Sequence, residues 1–66
     1  MTLAEFFIEN RDVSRASFAK NIGVSEPALS MYINRKRFPR ASVLIRIEQE
    51  TNNQVTASDM AMDYYG

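Results

Sequence analysis

The stretch Arg15–Asn34, RASFAKNIGVSEPALSMYIN, decides the fold. Phe18, Ala19 and Ile22 fall on one helical stripe, at i, i+1 and i+4, which predicts a short helix with one apolar side. Gly23 ends that helix, because the turn after it needs a position tolerant of φ > 0. Val24 then points an apolar side chain back. A second helix opens at Ser25 as cap, with Pro27 in its first turn, where no donor is lost, and its own stripe is Leu29, Tyr32 and Ile33. Two helices crossing steeply come close at one point and need a small residue there. Ala19 supplies it.

A small residue, a glycine four later, then apolar residues six and nine positions after the glycine make the helix-turn-helix spacing. The spacing alone is weak, since any small helical domain contains a hairpin with a glycine at a helix end. The second helix's outward face adds to it. With Leu29, Tyr32 and Ile33 assigned to the core, Glu26, Pro27, Ser30 and Met31 remain outside, with Asn34 at the end. That face carries no lysine or arginine. Short polar and small groups suit insertion into a groove more than plain exposure to water.

Outward from this pair, Thr2-Leu-Ala-Glu5 reads as a capping box opening a first helix that buries Leu3, Phe6 and Phe7 and ends near Asn10. Arg11 to Ser14 connects, with Ser14 as N-cap of the helix Arg15–Ile22. Its N-terminus offers free N–H groups to a phosphate, reinforced by Arg15 and Ser17. Residues 34–38 form a loop with three consecutive cations, Arg35, Lys36 and Arg37, read as a phosphate clamp in preference to a merely solvated loop. Pro39 opens a fourth helix, about Arg40 to Thr51, whose expected core stripe is Ala41, Leu44, Ile45 and Ile47, shared by Val43. Residues 51–54 read as a polar turn. Thr56-Ala-Ser-Asp59 resembles a second capping box, opening a short fifth helix through about Met62. The expected fold is therefore all-α, a five-helix single domain over residues 1–66.

Sixty-six residues allow only a small core, and a chain of this size buries about 60% of its unfolded surface. With no cysteine and no histidine, neither disulfides nor common zinc sites can staple it, so packing or dimerisation must help. No apolar run approaches a membrane span and no leader pattern is visible, which predicts a soluble cytoplasmic protein. Net charge is zero, yet its distribution is segregated. All eight basic residues lie between Arg11 and Arg46, opposed there only by Asp12 and Glu26, a segment charge of +6. The other six acids sit at the two ends, giving −6. Such a chain can present a positive face to phosphate while remaining neutral.

The runs SFAKNIGVSEPALSMYINRKRFP and RIEQETNNQVTASDM resemble the Cro/cI-type (XRE-like) helix-turn-helix family. Within it the chain looks most like small phage Cro repressors and related antitoxin-like regulators, whose chains read "inGkr-x-P" and then "rIE-x-x-T-x-x-x-VT". The resemblance covers about residues 3 to 60. Arg35 departs from it, standing where the family usually has glycine; Asn34 is itself able to take the left-handed conformation. The resemblance implies a repressor of phage or prophage origin, acting in the bacterial host cell at the nucleoid. It places base readout at Ser25, Glu26, Pro27, Ser30 and Met31, and backbone contacts at Arg15 and Asn34.

From the residues themselves, Glu26 can accept from cytosine N4, Ser30 can bond almost any base edge, and Pro27, Ala28 and Met31 can touch thymine methyl groups. One reading helix without lysine or arginine gives modest affinity, so two domains on a palindromic operator in double-stranded DNA are expected. The tail places Met60, Met62, Tyr64 and Tyr65 within the last seven residues. Met60 is expected to cover the core, leaving Met62, Tyr64 and Tyr65 as a homodimer surface or an idle, frayed tail. The competing reading is an antitoxin-like module that binds a partner protein. An enzyme is disfavoured: no His, no Cys and no carboxylate pair on an apolar pocket provide a catalytic site, a metal site or a cofactor.

Overall fold

Four of the five helices begin on a hydroxyl that accepts a backbone N–H from inside the first turn. In a computed structural model, which describes residues 1–66, these helices are α1 (Leu3–Glu9), α2 (Arg15–Ile22), α3 (Glu26–Ile33), α4 (Ala41–Glu50) and α5 (Ala57–Tyr65), with no strand. Thr2, Ser14, Ser25 and Thr56 accept from Glu5, Ser17, Ala28 and Asp59 at 3.1, 3.2, 3.2 and 3.0 Å. Both capping boxes close, since Glu5 accepts from the Thr2 N–H at 2.7 Å and Asp59 from the Thr56 N–H at 3.1 Å. Each such cap contributes about 1 kcal/mol. Only α4, capped by Arg40, lacks a side-chain cap.

Three of the five helices stop by a shared device. Gly23, Arg35 and Asn52 have φ of 79°, 58° and 53°. In each case the next residue's N–H reaches back five positions, Val24 to Ala19, Lys36 to Met31 and Asn53 to Glu48, at 2.9, 2.8 and 2.8 Å. This double-bonded left-handed turn satisfies the last carbonyls of α2, α3 and α4. It also corrects the expectation at the end of α3. Asn34 has φ −90° and stays right-handed, and Arg35 itself takes the conformation the family usually gives to glycine.

One core cluster draws on every helix. Phe6, Phe7 and Phe18 form an aromatic group with ring centroids 5.0 to 5.8 Å apart. Leu3, Ala19, Ile22, Leu29, Tyr32, Ile33 and Met60 are buried with them, as the stripes predict. Ala19 is 1% exposed, consistent with a close helix contact that leaves no room for a larger group.

Three expectations are corrected. On α4 the inward line is Val43 and Ile47, with Leu44 at the margin; Ala41 is exposed and Ile45 is 55% exposed. Both pairs have i, i+4 spacing, and the packing of α4 against α2 selects the second. Thr51 is not a surface turn residue but is buried. Its hydroxyl donates to the Ile47 carbonyl at 2.8 Å and accepts from the Val55 N–H at 3.2 Å, which lets Val55 sit fully buried. Finally, α5 runs to Tyr65 and not to about Met62, because nothing between Asp59 and Gly66 breaks it and the Gly66 N–H closes on the Met62 carbonyl.

Candidate nucleic-acid interface

The buried side of α3 leaves a defined outer side. Leu29, Tyr32 and Ile33 face the core, so the helical repeat turns Glu26, Pro27 and Met31 outward, with Ser30 half-buried between them. Ser25 and Asn34 are exposed at the two ends. The Ser25 oxygen caps the Ala28 N–H, leaving its proton to donate elsewhere. No side-chain hydrogen bond or ion pair engages Glu26, Ser30 or Asn34. All five sequence-predicted readers therefore lie on this helix or its cap, with the side-chain polar atoms of Glu26 and Ser30 uncommitted and the Ser25 oxygen engaged in the cap.

At the start of α2, the Arg15 guanidinium lies 5.2 Å from the Phe7 ring centroid, a cation–π contact that fixes its base against the core. Ser14 takes the Ser17 N–H, but the N–H groups of Arg15 and Ala16 have no partner within the chain. They remain available to an acceptor at the positive end of the helix. Ser17 is exposed beside them.

The loop after α3 is less uniform than the sequence indicates. Lys36 and Arg37 are exposed and unpaired, whereas Arg35 Nη1 meets Asp63 Oδ1 at 3.3 Å, so α5 holds one of the three cations. Phe38 packs its ring 5.4 Å from both Tyr64 and Tyr65, which anchors the far side of the loop to the tail. Of the tail residues, Met62 and Tyr65 are 72% and 74% exposed and Tyr64 is 38% exposed.

The acids are mostly spent elsewhere. Glu5 and Asp59 serve the capping boxes, Glu48 accepts the Ala57 N–H at 2.7 Å, and Glu50 accepts from Asn21 at 2.7 Å. Asp59 also receives the Met1 amine at 2.9 Å. That ion pair, then the Thr56 N–H, hold its carboxyl below the usual carboxylate range; the Thr2 N–H does the same for Glu5. Backbone donors and the terminal amine thus occupy Glu5, Glu48 and Asp59, while Arg11, Lys20, Lys36, Arg37, Arg40 and Arg46 carry no intramolecular ion pair. Net neutrality conceals this inequality.

Two basic residues escaped the sequence reading of the site. Arg40 and Arg46 join Arg37 around a cavity of about 390 Å³ beside the turn of the α2–α3 pair. Their separation along the chain gave no periodic signal; only the return of α4 across α2 assembles them.

A pair of short helices with a glycine turn, an uncommitted outer face on the second helix and unpaired cations beside it define a helix-turn-helix DNA-binding domain. A helix-turn-helix family model matches residues 5–56, nearly the whole of α1 to α4 and the connections between them. The chain belongs to this family, of the Cro/cI, XRE-like type, whose members are DNA-binding transcription regulators and not a catalytic family. Searches among curated proteins and among solved structures returned no match. No helix is long and apolar enough to cross a membrane, and no cluster of potential metal ligands is present.

Proposed function

We propose that this chain is a sequence-specific repressor of phage Cro type, binding a palindromic operator as a homodimer with α3 in the major groove. The observation that carries it is the outer side of α3, exposed at Glu26, Pro27 and Met31 and half-buried at Ser30, with no side-chain hydrogen bond or ion pair and none of the cations that would make it a plain phosphate contact. On this reading Ser25, Glu26, Pro27, Ser30 and Met31 read bases. Arg15, Ser17, Asn34, Arg35, Lys36 and Arg37 hold the two flanking backbones, with the N–H groups at the start of α2 donating to one phosphate. Met62, Tyr64 and Tyr65 join two copies, because large exposed side chains on a terminal helix cost little to bury twice across a two-fold axis. Half-sites then lie about 34–36 Å apart, centre to centre. The protein works in the bacterial cytoplasm at the nucleoid, needs no cofactor, and comes from a phage or prophage.

Selection from a random double-stranded DNA pool tests the reading. A palindromic consensus supports it, and recovery of no enriched sequence overturns it. The exposed tail also fits an antitoxin-like role, in which Met62 and Tyr65 contact a partner protein. Salt separates the two: DNA binding weakens by about one log unit per log unit of salt for each phosphate neutralised, and a protein adaptor does not follow that law.

A further inference from the structure

We propose that Met31 is an oxidation site on the outer side of α3, where hydrogen peroxide changes sequence recognition without unfolding the domain. The inference rests on the base-reading role of α3 proposed above. The chain has no Cys, His or Trp, so its four methionines are its principal targets for two-electron oxidation by a peroxide. The fold sorts them by access. Met60 is 4% exposed within the core, and Met1 packs against that core. Met62, on the terminal helix, is 72% exposed. Met31 is 37% exposed, on the side of α3 turned away from Leu29, Tyr32 and Ile33.

Position decides what the modification does. The sulfur lone pair attacks one peroxide oxygen, and the S–O bond forms as the O–O bond breaks. The transferred oxygen gives its proton to the departing hydroxide, which leaves as water. Sulfur loses two electrons and the peroxide gains them. A flexible apolar thioether becomes a polar sulfoxide, whose oxygen accepts hydrogen bonds and donates none. In the core, at Met60, that change would disrupt packing. Met31 belongs neither to the core cluster nor to the side chains packed against its edge, so the fold keeps its interior when this sulfur is oxidised. What changes is the surface offered to a base. A thioether suited to a thymine methyl becomes an acceptor suited to the amino group of cytosine or adenine. Of Ser25, Glu26, Pro27, Ser30 and Met31, only Met31 carries sulfur, so peroxide acts on the readout face at this one position.

Limited treatment of the full chain with hydrogen peroxide, followed by peptide mass mapping, tests access without DNA. Met62 and Met31 should gain one oxygen each while Met60 stays reduced and the thermal melt is unchanged. A Met31 that stays reduced while Met62 is oxidised overturns the proposal. Binding to the preferred site and to random DNA is then compared before and after treatment, each protein against its own untreated form. The treated parent should lose about tenfold in the ratio of the two affinities, the size of one lost base contact. Met31→Leu should keep its ratio through treatment, whereas Met62→Leu should lose about as much as the parent. Met31→Gln, which carries a polar acceptor from the start, should show the weaker ratio with no peroxide. Methionine sulfoxide reductases for both sulfoxide epimers should restore the treated parent. Equal losses in the parent and Met31→Leu would assign the effect elsewhere and overturn the proposal. An untreated parent with no sequence preference overturns the base-reading role of α3 and this inference with it; a preference that survives oxidation of Met31 overturns this inference alone.

Discussion

Arg35 and Asp63 meet at 3.3 Å across 28 residues of chain, joining the loop after α3 to α5. Arg35 is also left-handed, at φ 58°, a conformation that disfavours any residue with a Cβ. Arg35→Gly should therefore raise stability by about 0.5–1 kcal/mol, because relief of the left-handed strain exceeds the loss of an ion pair whose arginine is largely exposed. The same variant should weaken binding to specific and random DNA alike. Asp63→Asn should do the reverse, strengthening non-specific binding and steepening its salt dependence by releasing the cation. Melts and binding isotherms on the two variants check both signs.

Thr51 is the buried polar residue on which the α4–α5 junction turns. Thr51→Val keeps the shape but removes the acceptor of the Val55 N–H, which is buried with it. The expected loss is about 1–3 kcal/mol, the cost of a buried donor left without a partner, read from denaturant unfolding. A change below a few tenths of a kcal/mol would show that water replaces the hydroxyl.

The outer face of α3 should separate recognition from folding. Ser30→Ala and Met31→Ala remove no core contact, so their melting temperatures should stay near the parent's. Each should cost about 1–3 kcal/mol against the preferred site and nothing against random DNA. Glu26→Gln replaces an acceptor-only carboxylate by an amide that can also donate, shifting preference at one position towards adenine. Unchanged selectivity in all three variants would remove α3 from the groove.

Asp59 sets an acid-side dependence. Its carboxyl is held low in the folded state, first by the Met1 amine and then by the Thr56 N–H. Unfolded, it returns to about 3.9. A depressed folded value contributes stability that is present in full above the unfolded value and is lost as pH falls through the folded one. Stability should thus decline from just above pH ~4 downward, and Asp59→Asn should flatten that limb while lowering stability at neutral pH. Urea unfolding between pH ~2 and ~7 reads both effects.

Much of this architecture is local, and local features are legible in a sequence. The caps at Thr2, Ser14, Ser25 and Thr56 join residues three apart, and the stripes on α1, α2 and α3 need only the helical repeat to be recognised. The outer face of α3, once Leu29, Tyr32 and Ile33 were placed inward, followed by elimination.

Other features depended on which surface of one element meets another. Ala41 with Ile45 and Val43 with Ile47 are equivalent by spacing, and only the docking of α4 on α2 buries the second pair and leaves Ile45 in water. A threonine hydroxyl is polar in any sequence; Thr51 is interior because the chain turns back and presents Val55 to it. Arg35 carries the positive φ, with Asn34 beside it, because the hydrogen bonds from Arg35 to Tyr32 and Lys36 to Met31 set the register of the turn by one residue. The pairing of Arg35 with Asp63 and the gathering of Arg37, Arg40 and Arg46 share one cause. Charges interact through space over a few ångströms, and the sequence orders them along a chain that only tertiary packing folds back on itself.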